Sequence, residues 1–144
     1  MIKERNEIFS FSVQITAEMQ RAFADLSGDE NPLHIDREFA REKGYPDVLA
    51  YGMLTASFYS RLVGVYLPGR HSVFQECSIS FNKPVFIGDS LCVSGKVACT
   101  HDVLNLAVIK AEIRNQKNER VSTAKLTVGV RAPAVGAIGG ASLE

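Results

Sequence analysis

The chain carries no net charge: Lys and Arg together number 16, and Asp and Glu also number 16. A nucleic-acid binder usually shows a basic excess or a basic stripe, and neither is present. The run from Arg114 to Arg120 mixes charges with amides and reads as a solvated turn. Neutrality also gives no reason to expect an acidic membrane surface as partner. Long apolar runs are missing too. The longest stretches are broken by Arg61, Gly64 or Pro68, so no membrane span is predicted. The opening Met1-Ile2-Lys3-Glu4-Arg5-Asn6-Glu7 lacks the apolar core of a signal peptide. Cysteine is scarce: Cys77, Cys92 and Cys99 are odd in number and without metal-type spacing. No metal site is expected, and the three thiols read as buried and free on strands. Together these absences point to the cytosol.

What is present is enough for one core. A chain of 144 residues with 46% hydrophobic content fits a single domain, predicted over 1–132, with a loose tail over 133–144. The tail holds Pro133, Gly136, Gly139 and Gly140. Phe9 to Ile15 reads as a strand. Thr16 suits an N-cap for a helix over 17–26, with Met19, Phe23 and Leu26 on its buried face. Ser27-Gly28-Asp29-Glu30-Asn31-Pro32 breaks that helix. Asp36 caps a short helix that ends near Lys43. From Gly52 to Leu67 apolar residues cover nearly every side and Arg61 is the only charge, which predicts a buried helix.

Strands follow it. Val73 to Phe81, Leu91 to Cys99, Leu104 to Arg114 and Thr123 to Val130 alternate in the manner of antiparallel strands with one buried face. The fold class predicted is therefore α+β: one antiparallel sheet curled around a central helix. Such a sheet leaves an edge open and gives the helix thin cover, so a homodimer or a multiple of it is expected.

The most unusual local sequence is Gly28-Asp29-Glu30-Asn31-Pro32-Leu33-His34. A carboxylate and an imidazole on irregular backbone can hold one water between them and pass its protons. Asp after Gly is also a common turn residue, and a lone His is often structural. The second feature is Tyr51-Gly52-Met53, at the start of the apolar helix. The first N–H groups of a helix lack partners and its dipole is positive there. That suits a carbonyl oxygen gaining negative charge, and Gly52 would let a substrate come close.

Leu26 to Phe39 (LSGDENPLHIDREF) resembles the signature of the MaoC-like, or (R)-specific enoyl-CoA hydratase, family of hot-dog-fold proteins. Gly52-Met53-Leu54-Thr55-Ala56-Ser57 resembles that family's opening of the central helix. Phe81 to Asp89 (FNKPVFIGD) resembles its strand and turn before the last strands. The resemblance implies a hydro-lyase acting on a 2-enoyl or 3-hydroxyacyl thioester. It implies Asp29 and His34 as the catalytic pair, Gly52 as oxyanion donor, and Asn31, Tyr51, Met53 and Ser57 as substrate-binding residues. It implies no separate cofactor, since coenzyme A or carrier phosphopantetheine arrives as part of the substrate. The partners expected are thus an acyl-CoA or acyl-carrier-protein substrate and a second copy of the chain, with neither nucleic acid nor membrane. Members often have His directly before the Gly-Met pair. Tyr51 stands there instead, and a narrower pocket or a hydroxyl contact for a polar acyl group is expected. Two other readings share these features: a hot-dog thioesterase and a non-catalytic binding or assembly subunit.

Overall fold

The computed structural model describes residues 7–131. The expected tail over 133–144 lies outside the described residues. In chain order the elements are β1 (Ile8–Gln14), α1 (Ala17–Ser27), α2 (Arg37–Glu42), α3 (Gly52–Arg61), β2 (Ser72–Phe81), β3 (Ser90–His101), β4 (Leu106–Arg114) and β5 (Arg120–Val130). The strands form one sheet in the order β1-β3-β4-β5-β2, with every neighbouring pair antiparallel. Alternation decides which side of each strand meets the helix. In β3, Leu91, Val93 and Val97 are buried while Cys92 and Lys96 face out.

The helix seats on the sheet because β3 carries no side chain at one point. A Cβ on Gly95 would lie 2.8 Å from Leu62 Cδ2 and 3.3 Å from Ile109 Cγ2. Leu62 and Ile109 are fully buried there, in one cluster with Tyr59, Val63, Ile113 and Leu126. Truncating a side chain so placed costs about 2–5 kcal/mol. Tyr59 brings a polar atom into this core and satisfies it by donating its hydroxyl to Ser122 Oγ at 2.8 Å. Burial pushes the Tyr59 phenol up to about 12, against a smaller lowering by the Ser122 contact.

Four expectations need correction. The apolar helix is not one α-helix to Leu67: α3 ends at Arg61 and a π-helical turn covers Leu62–Tyr66, closed by Leu67 N–H on the Leu62 carbonyl (2.9 Å). The wider turn buries two sequence neighbours, Leu62 and Val63. Nor is the helix covered all round. Met53 and Val65 are more than 60% exposed, because a single sheet reaches only one side of it. On α1, Leu26 is exposed and Gln20 is buried. The cysteines are free as expected but not buried: Cys77 and Cys92 are exposed and Cys99 is half-buried. Cys92 takes an outward position on β3, and Cys77 sits on β2, an edge strand that is exposed along most of its length.

Candidate active site

The site begins where α1 stops. Thr16 accepts the Met19 N–H at the start of that helix, and Gly28 caps its end. Beyond it the loop is stiffened by its own short polar side chains. Asp29 N–H donates to Ser27 Oγ (3.2 Å), Asn31 N–H to Asp29 Oδ1 (3.0 Å), and Leu33 N–H to Asn31 Oδ1 (3.0 Å). These turns occupy backbone donors that would otherwise favour continued helix. Asn31 thereby caps the 3-10 turn Pro32–His34, which aims His34 back into the protein. Asp29 and Asn31 are exposed, and His34 is half-buried.

The imidazole is held in one tautomer. His34 Nδ1 lies 2.8 Å from the Leu49 carbonyl. A carbonyl can only accept, so Nδ1 carries the hydrogen and Nε2 is left to take or give a proton. Tyr51 backs the ring, with centroids 4.2 Å apart, and Phe23 packs on Tyr51 at 4.9 Å. The Tyr51 hydroxyl donates to the Asp29 carbonyl at 2.5 Å. One buried side chain therefore touches both members of the expected pair. Burial pushes the Tyr51 phenol above its ordinary value, and the charges of Asp29 and Glu30 push the same way, so it stays a neutral donor.

Gln20 ties the same segments from below. Its Nε2 donates to the carbonyls of His34 (3.2 Å) and Leu49 (3.0 Å), and its Oε1 accepts the Tyr51 N–H (3.2 Å). The next amide, Gly52 N–H, opens α3 without a hydrogen-bond partner among the described residues. A Cβ on Gly52 would meet the Phe81 ring at 3.3 Å, a crowded contact that glycine avoids.

His34, Gly52 and Thr55 line one cavity of about 350 Å³, with Phe81, Val85 and Val121 on its apolar side. A larger hollow of about 620 Å³ lies over the outer face of the sheet, beside Lys96, Lys110 and Lys125 in register. It holds no histidine and no helix terminus, so the chemistry belongs to the smaller cavity.

The structure thus brings His34 and Gly52 to one cavity and joins Asp29 to them through Tyr51. It does not bring Asp29, Asn31, Tyr51, Met53 or Ser57 to the cavity wall. Met53 points to solvent, and Ser57 turns its hydroxyl onto the Leu54 carbonyl (2.6 Å). Sequence reasoning passed over Gln20 and Thr55. Each had a faint signal: Gln20 shares a helix face with Phe23, and Thr55 shares one with Gly52. Among the described residues no group of three or more His, Cys, Asp or Glu could hold a metal ion, and no helix is long and apolar enough to cross a membrane.

Comparison with known proteins gives the chain's family and fold. The family model of the MaoC like domain matches residues 3–125. The chain is 36% identical over 107 residues to an (R)-specific enoyl-CoA hydratase of Aeromonas caviae, covering 74% of this chain and 80% of that one. It is 34% identical over 98 residues to a mitochondrial 3-hydroxyacyl-[acyl-carrier-protein] dehydratase of Arabidopsis thaliana, covering 68% of this chain but only 58% of the plant protein. The solved (R)-hydratase of A. caviae superposes with a TM-score of 0.84 at 33% identity, over 89% of this chain and 97% of that one. An R-hydratase of Pseudomonas aeruginosa gives 0.84 at 23% identity, over 99% and 94%, and shows the fold alone. With its open helix terminus, its tautomer-locked histidine and these relatives, the chain belongs to the MaoC-like hydratase/dehydratase family and has its hot-dog fold.

Proposed function

We infer that the chain is a hydro-lyase that adds water to a 2-enoyl thioester, or removes it from a 3-hydroxyacyl thioester, carried on coenzyme A or a carrier protein. One observation carries the reading. A histidine with Nε2 available and a helix N-terminal amide without a partner among the described residues line the same cavity. The thioester carbonyl accepts from Gly52 N–H, where the helix dipole favours the negative charge that develops during addition. Asp29 and His34 share the reacting water. A proton leaves the water for the pair as its oxygen bonds to C3. The π electrons move towards the carbonyl oxygen, and the pair returns a proton to C2. Dehydration is the same path reversed. Asp29 has one oxygen engaged by Asn31 N–H, and its other oxygen has no partner among the described residues.

The working form is a homodimer or a multiple of it. Val73, Phe74 and Phe81 stand exposed on β2, whose outer edge pairs with no strand among the described residues. Light scattering at micromolar concentration tests this, and a monomeric mass counts against it.

Incubation with crotonyl-CoA tests the reaction. Loss of the enoyl absorbance without free thiol is the expected result. Release of free thiol would mean hydrolysis and would replace the reading. No reaction with any enoyl thioester would leave a binding subunit in its place.

A further inference from the structure

The bonds that Asp29 makes within its own loop fix the loop's shape but not its place. Its N–H donates to Ser27 Oγ, and its Oδ1 accepts the Asn31 N–H, each from two residues away. Bonds so local travel with the loop if it swings. Among the described residues, the hydrogen bond that ties Asp29 to a distant part of the chain comes from Tyr51. Its hydroxyl donates to the Asp29 carbonyl at 2.5 Å, across 22 residues. That side chain is itself firmly held. It is 1% exposed, Phe23 packs on its ring, and Gln20 Oε1 takes its backbone N–H. The same ring lies on His34, with centroids 4.2 Å apart. Tyr51 does not line the cavity, so it has no direct hold on a ligand there.

We propose that Tyr51 is a positioning residue: its hydroxyl anchors the 28–34 loop so that the Asp29 carboxylate and the His34 imidazole can share one water. This rests on the hydro-lyase reading above, in which that pair moves the protons. The anchor acts on proton transfer and not on binding. Asp29 is exposed, so without the hydroxyl its carbonyl turns to solvent and the fold loses little. The carboxylate then spreads over several positions, of which only some meet the water. Displacing a catalytic group by about 1 Å can cost on the order of 10²-fold, and a loop that still visits the right place loses less.

The test is Tyr51→Phe, which keeps the ring on His34 and removes only the hydroxyl. With crotonyl-CoA, kcat should fall on the order of 10-fold while KM stays close to the parent's. The melting temperature should drop by no more than about 5 °C, the effect of one hydrogen bond. In an Asp29→Asn background the same replacement should leave kcat almost unchanged, because the carboxylate it places is already gone. A loss carried by KM, an unchanged kcat, or an equal fall in both backgrounds would overturn the proposal. Backbone amide relaxation gives a readout that needs no turnover. The Asp29, Asn31 and Leu33 amides should become more mobile in Tyr51→Phe, while those of Val93 and Ile109 in the sheet stay as they are. An equally rigid loop in both proteins would overturn the anchor. A parent that hydrates no enoyl thioester refutes the hydro-lyase reading instead, and relaxation alone then decides whether Tyr51 holds the loop.

Discussion

Gln20→Leu should lower both the stability and the activity of this protein. The two side chains are close in size, so no cavity is opened. What disappears is three hydrogen bonds, at 3.0, 3.2 and 3.2 Å. The Leu49 carbonyl keeps its bond from His34 Nδ1. The His34 carbonyl and the Tyr51 N–H keep none among the described residues. Each orphaned backbone group costs about 1–3 kcal/mol, and the new apolar side chain recovers part of it, leaving a net loss of about 2–4 kcal/mol. For a chain of this size that is a fall of about 6–12 °C in melting temperature. The same bonds hold the 3-10 turn to the start of α3, so kcat should fall by at least an order of magnitude even well below the melting temperature. Thermal melts followed by circular dichroism and enoyl-thioester hydration at a temperature where both proteins are folded give the two numbers. A variant with a parent-like melting temperature and parent-like kcat would show that Gln20 does not hold the site together.

Asp29→Asn and His34→Ala should each lower kcat on the order of 10²–10⁴-fold, the worth of a lost acid–base group, with melting temperature little changed for the exposed Asp29. The double variant should be scarcely worse than either single one, since groups that share one water act as a unit, and near-normal turnover in Asp29→Asn would falsify the mechanism. Gly52→Ala should separate stability from activity. Alanine suits a helix better by about 0.5–1 kcal/mol, yet its Cβ crowds Phe81 and the open amide, so kcat/KM should fall towards the 10²–10³-fold that a lost oxyanion donor costs. Unchanged activity in a folded variant would remove Gly52 from the site. Asp47 gives the pH dependence. Its hydrogen bonds from Arg37 and from Val48 N–H hold its carboxyl below the usual range, so its stabilising effect is present at neutral pH and fades as pH falls through that lowered value. The ion pair is exposed and screened, so Asp47→Asn should flatten the acid limb of the melting curve only slightly, and a large shift at neutral pH would contradict this.

The parts of the fold that were readable in the sequence are those decided locally. Alternation in Leu91 to Val97 follows from the geometry of an extended chain, and the buried residues of β3 fall where it puts them. Thr16 and Asp36 cap their helices because a short polar side chain reaches only the next few amides. What alternation cannot say is whether anything covers a face. β2 alternates like its neighbours but is a sheet edge with little over it, and Cys77 is exposed with it. The all-round apolarity of 52–67 predicts burial on every side. In one copy the sheet covers one side, and the exposed Met53 and Val65 are the remainder.

The site divides in the same way. Gly28 to His34 announces itself because its chemistry and its turns lie within seven residues. Gln20 gives no such signal, since its three partners are 14, 29 and 31 residues away. Tyr51 shows how long-range contact changes the meaning of a residue. Beside Gly52 in sequence, it looks like a group that touches the acyl chain. In the fold it is 1% exposed, its ring lies on His34, and its hydroxyl is engaged by the Asp29 carbonyl. Any influence it has on acyl choice passes through the pair it supports rather than through contact with the chain. A histidine placed there would be shorter than the phenol that spans to Asp29, so Tyr51 and the 28–34 loop form one mechanical unit.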